Sequence, residues 1–459
     1  MNKKNFIISS IIIILLLLVS VMGYIIVTKT PLHNIIVDYL RSKDNYPPYD
    51  KTVVIEKTNL PVVYITVDNI TRDDQVIAHV KIIDNERVDY DGEMAIRYRG
   101  HASYKSADKK SYALRPLDDL GEKTNVSLLG MKSNKKWALK ANWIDQSMIR
   151  EAIAYELASH TEVAAPQMRF VEVILNDVYY GVYSLMEQPT RRTLGLTKTK
   201  GDVSGSYLLY FSRMKEADFI AENKTHDNTF YYPFIIKHPD FEDLTTEQKK
   251  YINDAIIAMS AAVKDTSSLD YGKYINELSF IDYQLSSEFA CNTDAYWGSG
   301  YIYKDNDDID GRFRMCLWDG DHAFGMSRNP KYSWYNHWIY RFKEDIQSDH
   351  RYDWWIDLMK NPRYQQKLQD RWKWFRCGYY SDDRVFSVVD SLYHILNDGG
   401  AVERNNKAWH IWGKEGNNVN HPHEKYLSDS FEDEIQYVKD WIRLRLEWMD
   451  NNINESNGI

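Results

Sequence analysis

Apolar and polar residues alternate with a period of two through much of the first half of the chain. LPVVYITVD (60–68), VIAHVKIID (76–84), EMAIRYRG (93–100) and KKSYALRP (109–116) each predict a strand, because successive strand side chains face opposite sides. DQSMIREAIAYELASHT (145–161) changes to helical spacing, and FVEVILNDVYYGVYSLMEQ (170–188) predicts a hairpin turning at Asn176-Asp177. Residues 212–230 read as a polar loop. From about 245 the period is helical: TTEQKKYINDAIIAMSAAV (245–263) opens on a threonine cap, and FIDYQLSSEFACNTDAY (280–296) follows. A short hairpin (299–318) interrupts, and everything after 343 reads as helix. The last helix places Phe431, Ile435, Val438, Ile442 and Met449 on one stripe, with Ser430 and Asp433 resembling a start cap. Arg445 fills the missing step, either snorkelling to solvent, the commoner case, or pairing with a buried carboxylate. These elements predict an α+β protein: a β-rich part at 60–240 and an α-rich part at 241–455, with an acidic hairpin at 292–325.

Ahead of these elements lies FIISSIIIILLLLVSVMGYIIV (6–27), an uncharged run long enough to cross a bilayer as a helix. Lys3 and Lys4 precede it, which favours an inside N-terminus for a stub of residues 1–5. The expectation is a single-pass signal anchor in the cell membrane, a tether over 28–59 and an extracytoplasmic remainder; a cleaved signal peptide is the competitor.

Charge and cysteine usage narrow the function classes. A net charge of -9 over 459 residues, with no compensating basic stripe, argues against a nucleic-acid partner. Three cysteines without CxxC spacing give neither a disulfide framework nor a zinc site. The 14 Trp and 34 Tyr fit heavy packing better than sugar platforms.

The candidate chemistry is acidic. In CLWDGDHAFG (316–325) a strand-like run ends in Asp319 and Asp321 around one glycine. If the flanking runs pair about a centre near 306 and 307, Asp294 faces Asp319 and Asn292 faces Asp321. Carboxylates this close repel unless they share a cation or a proton, so Asp294, Asp319 and Asp321 predict a metal site; a solvated acidic turn is the alternative. NDDIDG (306–311) imitates the start of an EF-hand loop, but Leu317 stands where a bidentate glutamate belongs. On the basic side, a loop with Arg99, Gly100, Ser103 and Ser106 leads into Lys109 and Lys110, a weak phosphate-binding signal with a single glycine. On a helical wheel Glu156 falls near the apolar face of 145–161 while Glu151 points away, so a Lys110–Glu156 pair is expected; the alternatives are a purely structural ion pair or a glutamate at the exposed edge of the helix.

Taken in order, LPVVYITVD, RYRGHASYKSADKKSYAL, LLGMKSNKKWALKANWIDQSMIREAIAYELA, VEVILNDVYYGVYSLMEQ, EFACNTDAY, LWDGDHAFG and FEDEIQYVKDWIRLRLEWMD resemble the CotH family of atypical, protein-kinase-like proteins over roughly residues 60–452. The resemblance implies a two-lobed protein-kinase-like fold and transfer of phosphate from ATP, with Mg²⁺ or Mn²⁺, to serine or threonine of a coat or cell-envelope protein. Carried over by motif, Arg99, Lys110 and Glu156 serve the nucleotide, Asp294 is the catalytic aspartate, and Asp319 with Asp321 binds metal. Ser299 stands where many relatives place a metal-binding asparagine, and its hydroxyl is a poorer ligand. Two other readings remain: a pseudokinase or adhesin-like surface protein of the same fold, and a glycan-processing enzyme using two carboxylates.

Overall fold

In the computed structural model, residues 49–100, 102–198, 201–224, 229–326, 333–341, 352–412 and 428–454 are described. The apolar run at 6–27 lies outside them; among the described residues no helix is long and apolar enough to cross a membrane.

The alternating segments close into a barrel. Strands β1 (Val62–Thr66), β2 (Val76–Asp84), β3 (Arg87–Arg99), β4 (Ser111–Pro116), β5 (Trp137–Lys140), β6 (Met168–Leu175) and β7 (Val178–Glu187) follow the ring order β1-β2-β3-β4-β5-β7-β6. All neighbours are antiparallel except β1 and β6, whose parallel pairing completes the ring. Its interior is filled by Val63, Val80, Ile82, Met94, Ile96, Leu114, Trp137, Leu139, Val173 and Leu185. The short helix α1 (Ala102–Ser106) connects β3 to β4, and α2 (Arg150–Ala158) connects β5 to β6. The predicted helix at 145–161 therefore starts five residues late. Asp145 accepts from Ser147 N, Ser147 Oγ and Arg150 N, which wraps 145–149 into a turn instead of a first helical turn.

A second sheet draws strands from two distant stretches of chain. β8 (Tyr207–Phe211), β9 (Phe219–Lys224), β10 (Thr229–His238), β11 (Tyr301–Lys304) and β12 (Arg314–Cys316) lie in the order β12-β11-β8-β10-β9. β9 is a strand where the sequence reads as polar loop. It is an edge paired only with β10, so residues such as Glu222 stay exposed and blur the apolar pattern.

The remainder is helical: α3 (Thr246–Lys264), α4 (Glu277–Ala290), the single turn α5 (Asp307–Asp310), α6 (Trp354–Leu358), α7 (Pro362–Arg376), α8 (Asp382–Asn397), α9 (Ala401–Trp409) and α10 (Phe431–Asn452). Thr245 caps α3 in a reciprocal capping box with Gln248, and Ser430 caps α10 through Asp433 N. These helices, α2 and one face of the second sheet share a core that includes Ile153, Leu157, Phe211, Phe289, Trp354, Val438 and Ile442. Arg445 does not snorkel. It is fully buried, donates to the carbonyls of Glu288, Tyr335 and His337, and lies 3.4 Å from Glu288 Oε2. The mixed architecture is thus β-rich towards the N-terminus and helical towards the C-terminus. The described end of the tether packs on it: Tyr49 stacks on Trp409 at 4.4 Å and Asp50 N donates to Ala408 O.

Candidate active site

A cavity of about 270 Å³ opens where the barrel meets the second sheet. Its walls bring together Arg99 at the end of β3 and Gly100 just after it, Lys140 at the end of β5, Asp294 and Ser299 after α4, and Asp319 and Asp321 after β12.

Lys140 is its electrostatic centre. Trp137 and Leu139 fill the barrel, so alternation turns Ala138 and Lys140 outward. The ammonium lies 2.8 Å from Glu151 Oε2, 2.8 Å from Asp319 Oδ1 and 3.7 Å from Asp321 Oδ2. Glu151, in the first turn of α2, also accepts from Tyr155 Oη (2.7 Å) and Gly320 N (3.1 Å). One carboxylate therefore ties β5, α2 and the 319–321 loop together. Burial opposes the charge on Lys140, but Asp319, Asp321 and Glu151 outweigh it and hold the ammonium protonated well above the usual lysine range. Burial likewise opposes ionisation of Asp319, yet Lys140, Arg99 and His322 carry its carboxyl below the ordinary value.

The expected Lys110–Glu156 pair does not form. Lys110 Nζ donates to the carbonyls of Tyr104 (2.7 Å) and Ala107 (2.5 Å), closing the end of α1. Glu156 is exposed beside His160 (3.4 Å) and Arg384 (3.8 Å). The wheel misleads because α2 is covered on nearly every side: all its residues but Glu156 are buried, and β5 with the 319–321 loop covers the side of Glu151. Lys140 escaped notice because WALK is four residues long and buried throughout, with no polar alternation to mark it as a strand. The available signal was a lysine ending an apolar run eleven residues before a glutamate on a helix.

The hairpin also differs from the expected register. Tyr301 pairs with Cys316 and Tyr303 with Arg314, because α5 takes up residues in the turn and moves the centre. Residues 292–299 form a loop, not a strand. Asp294 and Asp319 still reach the same cavity, through a different contact: Asn292 Nδ2 donates to the Asp319 carbonyl (3.3 Å) while its Oδ1 accepts from Asp294 N (3.3 Å). The Asp294 carbonyl accepts from Gly298 N and Ser299 N, curling the loop and bringing Ser299 to the wall. Burial raises the Asp294 carboxyl pKa, and Asp319 and Asp321 raise it further against the pull of His322 and Arg213. Asp319 sits at φ 59°, a left-handed conformation that aspartate tolerates.

Glu151 and Asp319 gather around the Lys140 ammonium, and among the described residues no three His, Cys, Asp or Glu side chains form a group that could hold a metal. The donors fit a cation delivered with phosphates, since Mg²⁺ is commonly held by one or two carboxylates plus substrate oxygens. Asp319 and Asp321 supply these, partly exposed to the cavity and with Asp319 kept ionised. Close by, Arg99 lies over the Trp318 ring, and its Nη1 is buried without a hydrogen-bond partner, suited to an anion. Gly100 has φ 90°, a left-handed conformation that favours glycine in the turn beside the cavity, where a Cβ would also meet Ser103 Oγ.

The fold and site define an α+β protein whose cleft sets a strand lysine against a helix glutamate and two loop aspartates. The chain belongs to the CotH family: the model of the CotH kinase protein family matches residues 96–449. No curated protein matches the chain.

Proposed function

We propose that this protein is an ATP-dependent kinase of protein-kinase-like, two-lobed build that phosphorylates serine or threonine on a coat or cell-envelope protein, anchored in the cell membrane by residues 6–27 with its folded part outside. The observation that carries the reading is Lys140 held between Glu151 and Asp319 at 2.8 Å each, in one cavity with Asp294. Phosphoryl transfer asks chiefly for positioning and charge neutralisation. Lys140 and Arg99 would hold the phosphates, with Glu151 fixing Lys140. Asp319 and Asp321 would hold the divalent cation, with Ser299 near it on the wall; when bound, the cation offsets charge on phosphate oxygens. The acceptor hydroxyl oxygen forms the new bond to the γ-phosphorus, the bond to the bridging oxygen breaks with its electron pair leaving on ADP, and the hydroxyl proton passes to Asp294. The raised pKa of Asp294 makes it a better proton acceptor than an ordinary carboxylate.

Incubating the full chain with labelled ATP, divalent cation and coat or envelope extract tests the reading directly. Asp294→Asn should cut transfer by about 10²–10⁴-fold and leave ATP affinity unchanged. In the wild type the rate should fall on the acid side of its profile and Asp294→Asn should remove that limb, because Asp294 must be ionised to accept the proton. Asp319→Asn should make ATP affinity insensitive to Mg²⁺. Equal wild-type affinity with and without Mg²⁺ would count against the assignment. The adhesin-like alternative, favoured by Ser299, predicts nucleotide binding without transfer and an Asp294→Asn protein that keeps its biological role.

A further inference from the structure

The barrel wall facing the second sheet carries more positive charge than phosphoryl transfer uses. Alternation on β3, β4 and β5 turns Arg97, Arg99, Ala113, Arg115, Lys136 and Ala138 outward, because Ile96, Leu114, Trp137 and Leu139 fill the interior. Strand register sets these residues in rows. Arg99 lies opposite Ser111 at the catalytic cavity; Arg97 lies opposite Ala113, which faces Ala138; Arg115 and Lys136 follow one residue beyond the Leu114–Trp137 pair. Same-face residues along a strand are about 7 Å apart, so Arg115 and Lys136 lie about 13 Å from the Arg99 row. From the second sheet, β10 contributes Lys237, whose Nζ is 5.7 Å from the centre of the Tyr210 ring at the cavity wall.

These cations are half-buried, and among the described residues none forms a salt bridge. Arg115 donates only to neutral acceptors, the carbonyls of Leu114 (2.8 Å) and Trp137 (3.3 Å) and Gln188 Oε1 (3.0 Å). Arg97 donates to the Arg72 carbonyl at 3.4 Å. The nearby carboxylates are Asp240 by Lys136 and Asp218 by Lys237, and Asp218 Oδ1 already accepts from Ile236 N. Four half-buried cations thus meet between the barrel wall and the second sheet with only two carboxylates nearby, an arrangement that favours an anion.

We propose that this cluster is a second anion subsite beside the catalytic cavity, in which Arg97, Arg115, Lys136 and Lys237 take a phosphate ester. A phosphate ester carries close to two negative charges and three acceptor oxygens, matching a guanidinium fork and neighbouring ammoniums better than one carboxylate does. Its source is either a phosphate already on the acceptor protein or a phosphate of a nucleotide lying along the cleft. The phosphotransfer reading enters only in naming the ester. Like-charge crowding agrees: burial, then Arg115, with Lys237 and Lys135 adding, brings Lys136 down to about 8 against Asp240, and burial with Arg99 and Arg97 brings Arg115 to about 10.

Calorimetry on the full chain at pH 7 decides it, with a phosphoserine peptide, its serine counterpart, ATP and adenosine as probes. Against wild type, Arg115→Gln/Lys136→Gln should lose at least about tenfold affinity for one phosphate-bearing probe, roughly 1.4 kcal/mol, and affinity should fall above pH 8 as Lys136 loses its proton. Loss confined to the phosphopeptide places the phosphate on the acceptor. Loss for ATP alone, with adenosine unaffected, places it on the nucleotide. Unchanged affinity for both, or an equal loss for adenosine, overturns the subsite. Should the double variant fail to fold, Lys237→Gln from the opposite wall carries the same expectations. If no label reaches any acceptor while these losses persist, the phosphotransfer reading falls and the subsite stands.

Discussion

Replacing Lys140 with methionine is expected to abolish phosphoryl transfer, lowering it by about 10³-fold or more, because it removes the cation set where phosphate charge must be held. The structure adds a second consequence. Lys140 is the partner of Glu151, which is buried, and of Asp319. Burial already raises the Glu151 carboxyl against the pull of Lys140; without the ammonium it keeps Tyr155 and the Gly320 amide but faces two aspartates, which push it further the same way. Removing one member of such a buried pair costs about 3–5 kcal/mol, so the variant should also melt well below wild type. The share of the pH dependence that Asp319 contributes has a definite sign, opposite to that of Glu151, whose carboxyl is raised. A carboxylate whose folded pKa is lowered, as for Asp319, contributes stability above its unfolded pKa and loses it as pH falls through the folded value. Lys140→Met should flatten that acid-side loss, which thermal melts between pH 3 and pH 7 would register. Glu156→Gln supplies the contrast: its side chain is exposed, and its stability should stay within about 0.5 kcal/mol of wild type. Loss of transfer in Glu156→Gln with activity retained in Lys140→Met would restore the sequence-based pairing and overturn the structural one.

The sequence was legible where burial is one-sided. Barrel strands with an apolar inner face and a polar outer face, such as β1 and β2, alternate, and α3 and α10 announce themselves by caps and a single stripe. Legibility failed where an element is covered on both sides. β5 is buried throughout and α2 nearly so, which erases both alternation and amphipathicity, and these two elements carry Lys140 and Glu151. The aspartates were findable because charge at the end of an apolar run is conspicuous. Their relation was not, since it depends on a loop held by Asn292 and on a turn lengthened by α5. Arg445 shows the same limit: its stripe position was plain, but Glu288 lies 157 residues away.

Arg150→Met is expected to be the most destabilising single change outside the cavity, about 3–5 kcal/mol, for a reason that also bears on the cavity. Arg150 is fully buried in α2, next to Glu151. Its guanidinium lies 2.6 Å from Asp145 and 2.8 Å from Glu434 of α10, and its Nε donates to the Phe324 carbonyl at 3.3 Å. Burial disfavours its charge, but Glu434 and then Asp145 more than restore it, so the guanidinium is locked in its protonated form. One side chain thereby fixes the turn before α2, the helix that carries Glu151, the loop after Asp319 and the C-terminal helix. Methionine matches the length of the stem but leaves two carboxylates unpaired, Glu434 with no exposure. Denaturant melts of Arg150→Met should show this loss, and the triple variant Arg150→Met/Asp145→Asn/Glu434→Gln should recover part of it, because replacing a whole buried ionic group costs less than breaking it. Activity separates positioning from bulk stability: at a temperature where Arg150→Met remains folded, kcat should still fall, since Glu151 and the 319–325 loop lose their common anchor. A loss under about 1 kcal/mol with kcat intact would mean that α2 is held by its apolar packing alone.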